Sequence, residues 1–305
     1  MYDLIIIGAG PAGITAAIYA ARRNLNFIVL SMDIGGQVAW STEVENYTGI
    51  HLMAGVELVR KFREHMKDYK IKVKQEEVCD IKKKGKSFEI KTKKGKYSSK
   101  AVIVASGKSP RKLGIKGEDK FNGKGVFYCA LCDIKYYKGK EVLIVGGGNS
   151  ALESALFFSK LAKKIYILDV NPKLGGEAGL RDKVLRNKKV KHIHSAKMLE
   201  ILGNSTINSV RYSQGNQEKR LKVNSVFIEI GLVTKCDYAK LVRKNKWGEV
   251  MIFRSTKTHE ENMTSVPGIF AAGDVTDIPA KQIMVAAGEG AKAVMACFNY
   301  LDRIK

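Results

Sequence analysis

The sequence predicts an α/β protein of two three-layer nucleotide-binding domains, the second inserted into the first. Three observations predict it. Gly8-Ala9-Gly10-Pro11-Ala12-Gly13 and Gly146-Gly147-Gly148-Asn149-Ser150-Ala151 each follow a short apolar run and open a helical stretch. Cys129-Ala130-Leu131-Cys132 lies just ahead of the second loop. The chain also repeats itself in outline, which reads as a distant internal duplication. The expected boundaries are 1–115 with 248–305 for the split domain, and 116–247 for the inserted one.

The elements follow in order. Leu4 to Ile7 is apolar without alternation, as in a strand buried on both faces. After the first glycine loop, Ile14 to Arg23 reads as an alanine-rich helix and Asn26 to Leu30 as the next strand. This is a βαβ unit with its glycines at the first strand-to-helix turn, a Rossmann-like arrangement. Val56 to Tyr69 is amphipathic and helical. Ile71 to Tyr97 alternates and contains a Lys-Lys-Gly-Lys turn, so a small antiparallel sheet is expected. Ala101 to Ala105 is another buried strand. A second βαβ unit runs from Glu141 to Val145, through a helix from Ala151 to Leu161, to a strand at Lys164 to Leu168. Short strands follow at Val190 to His194 and near Met198, Val210 and Leu221. The run Ser225 to Gly231 closes the inserted domain. The C-terminal part holds Gly268 to Asp274 and a long helix from about Lys281 to Leu301.

The chain has 305 residues, 45% of them hydrophobic, enough for about two domains with sizeable cores. No apolar run is long enough to span a membrane, and the N-terminus lacks the pattern of a signal peptide, so a cytoplasmic protein is expected. Net charge is +23, from 53 basic and 30 acidic side chains. The lysines are spread over turns and strand edges and accompany no nucleic-acid module, so they read as a solvated surface that can steer an acidic partner. No nucleic acid and no membrane is expected as a partner. Five cysteines, an odd and sparse set, do not form a secreted disulfide framework. Cys79, Cys236 and Cys297 read as packing residues.

Each glycine loop has a chemistry. Gly8 permits the tight turn, Gly10 leaves room for a pyrophosphate, and Gly13 lets helix pack on strand, with Pro11 and Ala12 opening the helix whose N-terminus faces the phosphates. The ribose-binding acid expected about 20 residues on is missing, because Ser31 stands there. In the second loop Gly146, Gly148 and Ala151 give the G-x-G-x-x-A form, and Asp169 supplies the acid. A carboxylate there accepts hydrogen bonds from both ribose hydroxyls of NADH and repels the 2′-phosphate of NADPH. No arginine stands at Val170 or Asn171. The alternative for Asp169 is a cap on the next turn. Cys129 and Cys132 can close a redox disulfide. A zinc site would need two further ligands, for which only the remote His192 and His194 offer themselves, so no metal is expected. Asp133 can protonate a thiol or a reduced flavin, or can be a helix-start aspartate.

At this point the chain resembles the low-molecular-weight thioredoxin reductase family of flavoproteins over essentially all its length. The marks are Gly8 to Gly13, Gly35-Gly36-Gln37 followed by Glu43 to Tyr47, Cys129 to Asp133, Gly146 to Ala151, and Gly273-Asp274-Val275. Gly117-Glu118-Asp119, Lys281-Gln282-Ile283 and Met284 to Ala293 make it most similar to the reductase portion of the alkyl hydroperoxide reductase flavoprotein subunit. That protein carries an additional N-terminal thioredoxin-like region. Because this chain starts at the FAD strand, a separate small disulfide protein is expected to do that job.

The resemblance implies FAD at Gly8, Gly10, Pro11, Ala12, Gly13, Gly36, Gln37, Asn46, Gly107, Gly273, Asp274, Lys281, Gln282 and Ile283. It implies a nicotinamide nucleotide at Gly146, Gly148, Asn149, Ser150, Asp169 and Gly231. It implies that Cys132 meets the flavin, Cys129 attacks the partner disulfide and Asp133 is the acid. It further implies a homodimer, a thioredoxin- or glutaredoxin-like protein as electron acceptor, a peroxiredoxin as one onward acceptor, and hinges near 113–118 and 245–248. Two positions depart from the pattern. The His-Arg-Arg run of NADPH-using members is replaced by Asp169, Val170 and Asn171, and the glycine common after Cys-x-x-Cys-Asp is Ile134. NADH is therefore the expected donor, with NADPH and a standard thioredoxin as the alternative. A flavin-containing nucleic-acid scaffold and an NAD(P)H–ferredoxin oxidoreductase are the remaining alternatives. The dithiol argues against the last, whose chemistry needs none.

Overall fold

Tyr2–Ile7 forms β1, Pro11–Arg22 forms α1 and Phe27–Ser31 forms β2. This is the first expected βαβ unit. The structure is a computed structural model and describes residues 1–41, 44, 46–128, 137–254 and 260–304. Next come α2 (Gly55–Asp68), β3 (Val73–Gln75), β4 (Val78–Lys84), β5 (Ser87–Thr92), β6 (Lys96–Val104) and β7 (Lys108–Pro110). The second half of the order is β8 (Val126–Phe127), β9 (Glu141–Val145), α3 (Asn149–Ser159), β10 (Lys164–Leu168), α4 (Ala178–Arg186) and β11 (Val190–Ile193). It continues with β12 (Ala196–Gly203), β13 (Ile207–Gln214), β14 (Gln217–Lys222), β15 (Ser225–Ile228), β16 (Leu232–Thr234), β17 (Ile269–Ala271) and α5 (Ile283–Arg303).

The chain divides into two units, Met1–Ser109 with Val233–Lys305, and Pro110–Leu232. The expected boundary at 247/248 therefore moves to 232/233. The reason is burial: Cys236, Ala239 and Val242 pack into the first unit's core beside Ile5 and Val102. The boundary at 115/116 moves to 109/110. β7 and β16, the strands at the two boundaries, pair with each other.

In the first unit the sheet order is β3-β2-β1-β6-β5-β4, with β17 also on β6. β6 changes partners along its length. Its start runs antiparallel to β5, with Lys96 opposite Lys91, while Ser99 to Val104 run parallel to β1. The antiparallel stretch expected at 71–97 is thus fused to the main sheet. The central strands are apolar throughout because both faces are covered. Leu4 and Ile6 pack against Ala16 and Ala17 of α1 and Val294 and Cys297 of α5. Ile5 and Ile7 pack on the other side against Ile81, Phe88 and Ile90 of the hairpin.

The second unit repeats this plan. Its parallel sheet runs β11-β10-β9-β15-β8, and β12-β13-β14 form a separate antiparallel sheet. Leu143 and Val145 face Met198, Ile201 and Val210 of that sheet. Val142 and Ile144 face Leu152, Ala155 and Phe158 of α3. Helix α4 is not anticipated by the sequence pattern, since Gly175, Gly176 and Gly179 interrupt the periodicity around its start. Cys236 and Cys297 are buried as expected, but Cys79 is exposed on β4, which corrects its reading as a packing residue. No described helix is long and apolar enough to cross a membrane.

Candidate functional site

Each glycine loop sits at the carboxyl end of a strand flanked on both sides by parallel neighbours, β1 between β2 and β6 and β9 between β10 and β15, where open α/β folds bind ligands. The same division of labour holds in each. Gly8 and Gly146 have φ of +105° and +123°, and a Cβ on either would lie 2.3 Å and 2.2 Å from the carbonyl oxygens of Ala105 and Glu229. A Cβ on Gly13 would lie 1.9 Å from the Gly8 carbonyl oxygen, so this residue sets how closely α1 approaches β1. Gly10 and Gly148 are the N-caps of α1 and α3, without side-chain caps. A Cβ on either would meet nothing within 4 Å. Open space in front of uncapped helix N–H groups suits a pyrophosphate. The residues present therefore fit two dinucleotides.

In the first unit, long-range packing gathers the other residues expected at FAD. Gly36 approaches Gly10, since a Cβ on it would lie 3.4 Å from the Gly10 Cα. The Asn46 side-chain amide donates to Gln282 Oε1 at 3.0 Å, at the N-cap of α5. Ile283 packs on Val38, Leu58 and Val59. Gly273 and Asp274 begin a short 3-10 turn directly after β17. Burial raises the Asp274 carboxyl, against the opposing pull of the Lys281 and Lys108 ammonium groups. Lys281 Nζ donates to the Thr276 carbonyl at 2.5 Å and pairs with Glu249 at 3.3 Å, so it anchors the turn that carries Asp274. Burial opposes the charge on Glu249, but Lys108, Asn245 and Lys281 hold its carboxyl down to about 2.

The strand ends after the two loops differ. Ser31 Oγ accepts from Ala9 N at 3.1 Å and donates to the Asp33 carbonyl at 2.7 Å. Asp169 is 5% exposed. Its Oδ1 accepts from the Asn171 backbone and side chain at 3.3 and 3.2 Å, which is the turn cap considered from sequence. Its Oδ2 is buried without a partner. An orphaned carboxylate oxygen beside the loop is the feature that a ribose hydroxyl would satisfy. His192 lies on the neighbouring strand, where burial and then His194 lower its pKa. Gly148, Asn149 and Ser150 are exposed at the helix start. The Asn149 Oδ1 is taken by Glu177 N at 2.8 Å, which ties the following loop to α3. Gly231, with φ +90°, follows β15, and its carbonyl accepts from Arg111 N at 2.9 Å.

Cys129, Cys132, Asp133 and Ile134 lie outside the described residues. The segment leading to them is anchored. Tyr128, the residue before Cys129, donates its hydroxyl to Glu118 at 2.7 Å, and burial followed by that carboxylate raises the phenol. Glu118 is 2% exposed and also accepts from Leu113 N at 2.9 Å and Gly114 N at 2.6 Å. One candidate residue escaped the sequence reading: Glu229, directly after β15. Burial pushes its carboxyl up to about 7, with Glu153 adding to the rise and the Ser154 hydroxyl opposing it from 3.1 Å. The signal was present as the one charged residue in the apolar run Val226 to Ile230.

Comparison with known proteins agrees with this geometry. The family model for pyridine nucleotide-disulphide oxidoreductases matches residues 2–290. The chain is 33% identical over 306 residues to a protein named NADH dehydrogenase from Bacillus subtilis (strain 168), covering 99% of this chain and 59% of that one. It is 34% identical over 310 residues to a Pseudomonas putida subunit of alkyl hydroperoxide reductase, covering 99% and 58%. The chain thus spans just under three fifths of these two relatives. The solved structure of Lactococcus lactis thioredoxin reductase, in its FR conformation, superposes with a TM-score of 0.84 at 30% identity, covering 99% of this chain and 100% of that one. With a family match over nearly the whole chain and two nucleotide loops of the expected geometry, the chain belongs to the pyridine nucleotide-disulphide oxidoreductases, as an NAD(P)H-dependent flavoprotein disulfide reductase of the thioredoxin reductase-like group.

Proposed function

We propose that this reductase takes its electrons from NADH and delivers them, by way of FAD and the Cys129–Cys132 pair, to the disulfide of a thioredoxin- or glutaredoxin-like protein. The net reaction converts NADH, a proton and a protein disulfide into NAD⁺ and a protein dithiol. The observation that carries the donor is Asp169, whose buried Oδ2 lacks a partner beside the second loop. A diol satisfies that oxygen, whereas a 2′-phosphate would meet it with like charge. The name of the Bacillus subtilis relative agrees with this donor.

FAD supplies a relay between a two-electron hydride donor and a disulfide. The chain's part is to hold it. Gly10 and the α1 N-terminus would face the pyrophosphate, with Asp274, Asn46 and Gln282 as its polar contacts. Lys281 keeps the Asp274 turn in place. Glu118, through Tyr128, fixes the backbone that leads into the dithiol. Cys132 would face the flavin and Cys129 the partner, with Asp133 as proton donor. The likeness to a component of alkyl hydroperoxide reductase favours a peroxiredoxin as one onward acceptor.

Anaerobic titration with each nucleotide tests the donor. NADH is expected to bleach the flavin faster than NADPH, and the reverse order overturns the assignment. Cys132→Ser tests the route. It should leave flavin reduction intact and stop turnover of a protein disulfide, and surviving turnover rejects these roles.

A further inference from the structure

The second loop and Asp169 set the direction in which a dinucleotide lies across the second unit. The loop follows β9 and Asp169 ends β10, while β15 lies on the other side of β9. Dinucleotides in such sheets cross the carboxyl ends of the strands where the strand order reverses. With the adenosine ribose at β10, the nicotinamide half extends over the end of β15. The residue at that end is Glu229.

Glu229 touches the loop directly. Its N–H donates to the Val145 carbonyl at 2.8 Å, and its own carbonyl leaves no room for a Cβ on Gly146. Its side chain leaves the strand on the face of Phe227, toward α3, where the Ser154 hydroxyl meets it. The other charged group facing it from α3 is Glu153. On β9 and the loop after it, its backbone meets Val145 and Gly146. On the β8 side Phe127 stacks on Phe227, 5.4 Å between ring centroids. Among the described residues no cation pairs with it. Among the described residues this carboxyl meets one hydroxyl and no counter-charge, so no structural pairing there explains it.

We propose that Glu229 discriminates the two redox forms of the nicotinamide: its carboxylate favours the cationic oxidised ring over the neutral reduced ring, and protonation removes that preference. The proposal rests on the reading of the second unit as the NADH site. Because burial holds the carboxyl near 7, the preference changes across neutral pH. Product is then released more readily on the acid side and retained on the alkaline side.

Equilibrium binding to the holoenzyme tests this between about pH 5.5 and 8.5, a window that brackets the raised Glu229 carboxyl at about 7 and lies above the ordinary carboxyl range. The probes are NAD⁺, the non-reducing neutral-ring analogue 1,4,5,6-tetrahydro-NAD, and ADP-ribose. The NAD⁺ affinity relative to the neutral-ring analogue should rise about tenfold across that range, as expected for one charge a few ångström away at a partly screened site. Glu229→Gln should flatten the ratio. Ser154→Ala should leave the rise in place and move its midpoint to higher pH, since the hydroxyl stabilises the anion. Titration of His192 at the adenosine end acts on all three ligands alike and cancels in the ratio. A ratio that ignores pH in the unaltered protein, a pH dependence that survives Glu229→Gln, or a midpoint indifferent to Ser154→Ala overturns the proposal. Failure of ADP-ribose to bind removes the NADH reading itself, and this proposal with it.

Discussion

The two glycine loops share a backbone and differ in what stands at the end of the following strand. Ser31 is self-contained: its hydroxyl accepts from Ala9 and donates to Asp33. Asp169 is not, because one of its oxygens is buried and unpaired. Leaving such a group unsatisfied costs about 1–3 kcal/mol, a cost folding tolerates where a ligand supplies the missing bond. The first unit thus presents a closed strand end and the second an open one. Two loops of one geometry are distinguished by polar satisfaction, which the glycines themselves do not show.

That comparison is sharpened first by the third loop position. Gly13 has no room for a Cβ, whereas the second loop carries Ala151 at the same place, fully buried. Gly13→Ala is expected to cost about 3 kcal/mol by overpacking, and Ala151→Gly only about 1 kcal/mol through helix propensity. Denaturant unfolding of the two variants measures both, and equal losses would break the distinction.

Next in size is Lys108→Met. Glu249 has its carboxyl depressed from an ordinary 4.5 to about 2, so its stabilisation is fully present above about pH 4.5 and is lost as pH falls toward 2. Removing Lys108 should cost about 2 kcal/mol, the range for hydrogen bonds to charged groups, and move acid unfolding to higher pH. Glu229 has the opposite sign. Its carboxyl is raised to about 7, so its contribution is fully present below about pH 4.5 and is lost as pH rises through 7. Thermal melting against pH should therefore show an acid limb sensitive to Lys108→Met and a neutral limb abolished by Glu229→Gln.

Asp169→Asn removes the acceptor that marks the open strand end. NADH affinity should fall about tenfold, in keeping with loss of a charge-assisted hydrogen bond, while Ser31→Ala leaves it unchanged. Equal effects of the two substitutions on nucleotide binding would end the comparison. The smallest expected effect is that of Gln282→Ala. It breaks an exposed bond to Asn46 and should weaken FAD retention by about 0.5–1 kcal/mol, read by flavin release on dilution.

Much of the fold was legible in the sequence. The strand at Lys164–Leu168 has the expected limits, and the helices at Gly55–Asp68 and Ile283–Arg303 lie within two residues of theirs. These segments speak through local physics: uninterrupted apolar runs, helical periodicity and glycine punctuation. Helix α4, the pairing of β7 with β16 and the forked β6 were not legible. α4 is short and glycine-flanked, and strand pairing depends on partners distant in the chain. The boundary near 232 was also hidden, because the burial of Cys236, Ala239 and Val242 is a property of the core they join.

The sequence by itself determined the two glycine loops, the Cys129-x-x-Cys132 spacing between them and the place of Asp169 after the second βαβ unit, since each is a local pattern. Tertiary structure decided which polar groups are free and which are spent. Only folding brings Asn46 to Gln282 across 236 residues, and Lys108 and Lys281 to Glu249. Only folding buries Glu229 against Ser154 and leaves Asp169 Oδ2 without a partner. The physical reason is that charge state and hydrogen-bond satisfaction depend on excluded water and on distant neighbours, and packing alone supplies both.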